Sequence, residues 1–153
     1  VLITSYDLLK RDIAAYHGKG IMPDYFVPVD TTMFTKYHSQ LSNKGVLLKV
    51  HFQWIDAYRE AWTKKYDDYA VFCKEFELDD TMMQQLIAEG EKEGVKFDEE
   101  EYKKSESLIK LQLKALIARD LWDMNEYYHT INVVNESVNK ALELLNNKNE
   151  GGL

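Results

Sequence analysis

Leu108-Ile109-Lys110-Leu111-Gln112-Leu113-Lys114-Ala115-Leu116-Ile117-Ala118-Arg119-Asp120-Leu121-Trp122 decides the fold. Its apolar residues Leu108, Ile109, Leu111, Leu113, Leu116, Ile117, Leu121 and Trp122 recur at helical spacing and spread well beyond a narrow stripe. A helix with so wide an apolar face must bury most of its surface, so it is expected at the centre of a bundle. At 153 residues the chain fits one domain with a short appendage, and can bury a core without disulfides or metals.

Further helices flank this run. Asp98-Glu99-Glu100-Glu101 resembles a capping box, with an acidic cap and Glu three residues on, and a break is expected near Ser105. Asp79 or Asp80 caps a helix over Thr81 to Glu93, with Met82, Leu86 and Ile87 inward, and Gly94 stops it. Asp67 or Asp68 caps a short helix to about Phe76. Val46 to Lys65 places Leu47, Val50, Trp54, Tyr58 and Ala61 on one stripe, with Leu48, Ile55 and Trp62 beside it. Asn43-Lys44-Gly45 stops or kinks a preceding helix capped at Asp30, Thr31 or Thr32. Beyond the central run, Asp123 or Asn125 starts a helix through Val134. A last one covers Glu136 to Leu145, with Val138, Ala141, Leu142 and Leu145. The polar stretch from Asn146 to Leu153 is expected to fray.

The character changes before residue 31. Ser5 or Asp7 to Tyr16 carries Leu8, Leu9, Ile13 and Tyr16 at roughly helical spacing. Gly18 and Gly20 end that helix. The run Gly18 to Thr32 holds both prolines and two of the seven glycines. It reads as loop, short edge strand over Tyr25 to Val29, and loop. One β-like piece ahead of a long helical body suggests the end of a larger fold that has been cut. The expected class is mainly α: an irregular multi-helix bundle preceded by a short extended or β arm.

Composition narrows the function classes. A net charge of −7 argues against nucleic acid, which wants clustered Lys and Arg. Ten Tyr, six Phe and three Trp speak for a packed core with Tyr hydroxyls reaching the surface, or else for an aromatic-rich binding face. The one cysteine, Cys73, cannot form an intrachain disulfide, and its apolar run Tyr69 to Cys73 favours burial. No stretch approaches the length of apolar sequence that spans a membrane. The chain begins with Val and shows no basic-then-apolar leader. It is therefore expected to be a soluble, excised fragment whose export signal has been removed.

Few residues carry a chemical signature. Glu126-Tyr127-Tyr128-His129 is a Glu-x-x-His, which on a helix puts both side chains on one face. Di-iron bundles need two such motifs and two more carboxylates, and His17, His38 and His51 have no Glu three residues before them. Ser107/Lys110 and Ser137/Lys140 match Ser-x-x-Lys, but without the companion motifs of the enzymes that use it. Arg119-Asp120 reads as an ion pair or cap at a helix end, or else as a contact to a missing domain. Gly18-Lys19-Gly20 lacks the length of a phosphate loop. Glu99, Glu100 and Glu101 suit a helix start through its dipole. No catalytic, cofactor-binding or metal residue is assigned, and no cofactor is expected.

Gly18, Gly20, Ile21, Pro23 and Asp24 match a Gly-Gly-x-Gly-Ile-x-Pro-Asp step. That step, with a short Val-rich strand after it, resembles the close of the catalytic domain in the C-terminal processing (tail-specific) serine peptidases, relatives of the tricorn core protease. Tyr25 to Thr32 with Thr35-Lys36-Tyr37 look like the linker to the helical C-terminal extension of some bacterial members. Tyr66 to Phe72 resembles that extension's Lys-Tyr-Pro-x-Phe-x-x-Phe segment without its Pro. Glu91 to Phe97 and Leu111 to Trp122 match it more closely. The resemblance covers roughly residues 17 to 145, and residues 1 to 16 fit the pattern poorly.

The resemblance implies that residues 1–30 are the end of the peptidase domain or a linker. Residues 31–147 would be a helical C-terminal domain, and 148–153 a frayed tail. The family's serine nucleophile and lysine base lie upstream of the Gly-Ile-x-Pro-Asp step, so the part in hand is expected to be inactive alone. The parent would be a periplasmic or cell-envelope endopeptidase acting on polypeptide. This part's partner would be the parent's own catalytic domain or another subunit, with no nucleic acid and no membrane span. The alternatives are a free-standing helical interaction module and a small metalloenzyme built on Glu126 and His129.

Overall fold

The structure is a computed structural model that describes residue 27 and residues 31–150, the last four by backbone alone. The chain divides into two compact units, Asp30–Ile131 on one side and Val1–Val29 with Asn132–Leu153 on the other. The first unit holds α1 (Lys36–Asn43), α2 (Val46–Lys65), α3 (Tyr69–Glu75), α4 (Asp80–Lys92), α5 (Glu99–Leu121) and α6 (Met124–Ile131). In the second, the described part is a 3-10 turn, Asn132–Val134, and α7 (Glu136–Glu150). No strand occurs among the described residues, and a mainly α, multi-helix bundle is what the wide-faced run requires. The expected helix ending at Tyr16 and the arm Tyr25 to Val29 lie outside the described residues, apart from Val27, which is in no helix or strand.

Side-chain caps set most boundaries. Asp68 accepts from Ala70 N–H, Asp79 from Met82 N–H and Asp98 from Glu101 N–H. Each satisfies a donor that the first helical turn leaves free. Asp123 accepts from Asn125 N–H at the start of α6 in the same way. Gly45 and Gly94 carry positive φ, 70° and 79°, where a Cβ would be strained. They turn the chain into α2 and out of α4.

α5 is the centre. It packs against α1, α2 and α6, and from Leu108 to Trp122 every residue is buried or half-buried. The core around it joins Leu41, Val50, Trp54, Phe72, Leu86, Ile109, Leu113 and Ile117. A ring cluster closes one part of this core. Phe72 stacks on Phe76 at 4.6 Å, Trp62 meets Phe76 edge-on at 5.3 Å, and Trp122 lies 5.2 Å from Phe72. Gly90 gives α4 a close approach to α1, since a Cβ there would stand 2.9 Å from Leu41 Cδ2.

Several sequence expectations are corrected. The first described helix starts at Lys36, because Thr35 rather than Asp30, Thr31 or Thr32 caps it, accepting from His38 N–H at 3.2 Å. No break occurs near Ser105, whose buried hydroxyl donates back to the Glu101 carbonyl at 2.9 Å and so stays inside the helix. On α2 Leu47, Val50 and Trp54 are buried as the stripe predicts, with Ile55 beside them, but Val46 and His51 join them and Leu48, Tyr58 and Ala61 are exposed. Cys73 is half-buried. The helix predicted to end at Val134 gives way to a 3-10 turn after Ile131, where the compact helical unit also closes. α7 continues to Glu150, past the predicted end at Leu145.

Candidate functional site

Polar groups inside the helical unit gather where α5 meets its neighbours. The densest group lies between α2 and α5. His51 is fully buried, and its Nε2 lies 2.9 Å from Asp120 Oδ2. Arg119 Nε donates to the other carboxylate oxygen at 2.7 Å, and Arg59 Nη1 donates to the Asp120 carbonyl at 2.6 Å. Neither ring nitrogen of His51 has a well-aligned hydrogen bond. Burial pushes His51 below its ordinary value, and the nearby Arg119 charge adds to this against the pull of Asp120. Burial opposes ionisation of Asp120, but Arg119, His51 and Arg59 together outweigh it and hold the carboxyl below its usual range.

Three further contacts tie α5 to helices distant in sequence. Glu101 Oε2 accepts from Tyr37 N–H at 2.6 Å, so the carboxylate closes the open N-terminus of α1. Within a capping box that carboxylate would return to its own helix. Lys114 Nζ donates to the carbonyls of Cys73 and Phe76, at 2.7 and 2.8 Å, and so caps the C-terminal end of α3. Burial lowers its pKa below the ordinary lysine value. His38, also buried, meets Gln112 Oε1 through Nε2 at 2.9 Å. Burial raises the Tyr37 hydroxyl to about 12, with help from the Glu91 charge.

α2 and α4 line an open groove of about 370 Å³, with Gln53, Ala57 and Tyr58 from α2 and Ala88 and Glu89 from α4. Trp54 and Gln85 also line it, and Trp54 Nε1 donates to Gln85 Oε1 at 2.7 Å. Glu89 is nearly buried between Lys49 and Lys92, and hydrogen bonds from both lysines hold its carboxyl low.

The residues weighed from sequence fall into structural contacts. Arg119 and Asp120 pair with each other and with α2, at the C-terminal end of α5. Lys110 pairs with Glu106 and Lys140 with Glu143. Glu99 and Glu100 pair with Lys103 and Lys104 one turn on. Glu126 and His129 share α6, where the Tyr69 ring lies 6.3 Å from the His129 ring and the Tyr69 hydroxyl reaches the Glu126 carbonyl. Among the described residues no group of three or more His, Cys, Asp or Glu side chains is placed to hold a metal ion. No helix among them is long and apolar enough to cross a membrane.

Sequence reasoning did not single out His51, Glu89 or Lys114. His51 had a signal: it lies four residues after Leu47 and four before Ile55, on the inner stripe of α2. The partners of Glu89 and Lys114 are distant in sequence, so no local pattern announces them.

These features describe a helical unit in which Glu101, Gln112, Lys114 and Asp120 tie the central helix to its neighbours. A family of unknown function, DUF8443, matches residues 37–123. The match takes in more than half of the chain, from α1 to the end of α5, and the chain belongs to this family. No curated protein matches, and neither does any solved structure.

Proposed function

We propose that this chain is the non-catalytic, helical C-terminal region of a serine endopeptidase of the C-terminal processing group. The observation that carries the reading is the Gly20-Ile21-Met22-Pro23-Asp24 step placed directly ahead of a helical unit. The unit's role is to pack on the catalytic domain, restrict access to it, or join subunits. The parent is periplasmic or cell-envelope and acts on polypeptide. Two features support a packing role. The family-like stretch Leu111 to Trp122 runs along the central helix to its end, and two of its ionic residues, Lys114 and Asp120, are spent on neighbouring helices. Leu48 and Phe52, one turn apart on α2, are about half exposed and suit a contact with another domain.

The same exposed pair also favours a second reading, a free-standing helical module that binds a partner protein. Sequencing the gene upstream of Val1 separates the two. The first reading expects a few hundred codons that place a serine and a lysine, in the peptidase's order, before Gly20. A reading frame with no such domain overturns it and leaves the free-standing module.

A further inference from the structure

The His51 cluster carries a consequence that neither reading of the function contains. The ring sits on α2 beside Leu47, Val50, Trp54 and Ile55, all buried, and solvent does not reach it. The charged groups facing it are Asp120 and Arg119 from α5 and Arg59 from α2, the last through the Asp120 main chain. Two guanidinium groups and one carboxylate already leave the cluster with a net positive charge. A protonated ring would add a second positive charge where water cannot solvate it. A neutral ring adds none, and it can stand with Nε2 2.9 Å from Asp120 Oδ2 without a further cation in the cluster.

We propose that this cluster is an acid-sensitive clasp: with neutral His51 it holds α2 against α5, and protonation of the ring loosens that interface. The folded chain binds the His51 proton less readily than the unfolded chain, where the ordinary value of 6.5 applies. Stability is therefore full above 6.5 and falls as pH drops through it, until the depressed folded value is passed. Asp120 acts in a separate window. Its carboxyl is held below 3.8, so its contribution is present above 3.8 and is lost only as pH falls through the depressed value.

The test is urea unfolding of the full chain from about pH 8 to about pH 5, with and without His51→Gln. Glutamine keeps a neutral donor and cannot take the proton. The unaltered chain should lose stability across that range. Each unit of depression should appear as about a tenfold rise in the unfolding constant. In H51Q most of that fall should vanish, whereas His129→Gln, on an exposed ring, should leave it in place. Should H51Q fail to fold, NMR titration of the His51 ring in the unaltered chain decides. A ring that remains neutral below 6.5, with faster amide exchange at Val50 to Ile55 on acidification, supports the clasp. An equal fall in H51Q, or a ring that titrates at or above 6.5, overturns it.

Discussion

The first turns of α5, Glu99 to Lys104, and its body from Leu108 to Leu121 are one helix held in two ways. In the first turns Glu99 and Glu100 reach Lys103 and Lys104 across solvent, at 2.6 and 2.7 Å. There the Asp98 cap and the helix dipole act on a solvated segment. In the body Leu113, Ala115, Ile117 and Ala118 are wholly enclosed, and the ionic side chains Lys114 and Asp120 serve α3 and α2. Helix formation at the start is a local matter. In the body it is a condition of the whole bundle, because neighbouring helices use this surface as their core.

Substitutions in the body should do the most damage. Leu113→Ala or Ile117→Ala removes methyl groups from the fully buried core, and should cost about 2–5 kcal/mol in urea unfolding. Lys114→Met keeps most of the stem but leaves the Cys73 and Phe76 carbonyls without their donor. It should cost about 1–3 kcal/mol, with α3 the first segment to lose amide protection. Asp98→Ala and Glu101→Ala should each cost about 1 kcal/mol. They differ in place: the first frays α5, whereas the second frays α1, whose Tyr37 N–H loses its acceptor. Lys103→Ala should leave the unfolding midpoint unchanged within error, because an exposed ion pair adds little. Native-state amide exchange sharpens the same contrast. Leu113 to Ile117 should exchange only through global unfolding, and Lys103 and Lys104 through local opening.

Local signals were legible in the sequence and distant ones were not. Asp68, Asp79, Asp98, Gly45 and Gly94 announced their helix ends because a cap or a left-handed glycine acts within a few residues. The width of the Leu108 to Trp122 face announced the central helix for the same reason. Ser105 misled, since its preference for breaking a helix is met here by a hydrogen bond within the helix. The stripe on α2 held for Leu47, Val50 and Trp54 and failed at Tyr58 and Ala61, which fit the period but stay exposed, while His51 fills an inner position beside Asp120, 69 residues along the chain. Glu101 looked like half of a local box and instead closes a helix 64 residues away. Candidate chemistry was the least legible part, since Ser-x-x-Lys and Glu-x-x-His spacings arise on any polar helix face.

The most direct test of the proposed role is cleavage of an unfolded polypeptide by the full gene product and by a version lacking residues 31–153. If the region packs on, guards or assembles a peptidase, the full product cleaves, and deletion changes the rate, the choice of cleavage site or the subunit number. A full product that cleaves no polypeptide, or one whose rate, sites and assembly survive the deletion intact, would contradict that role.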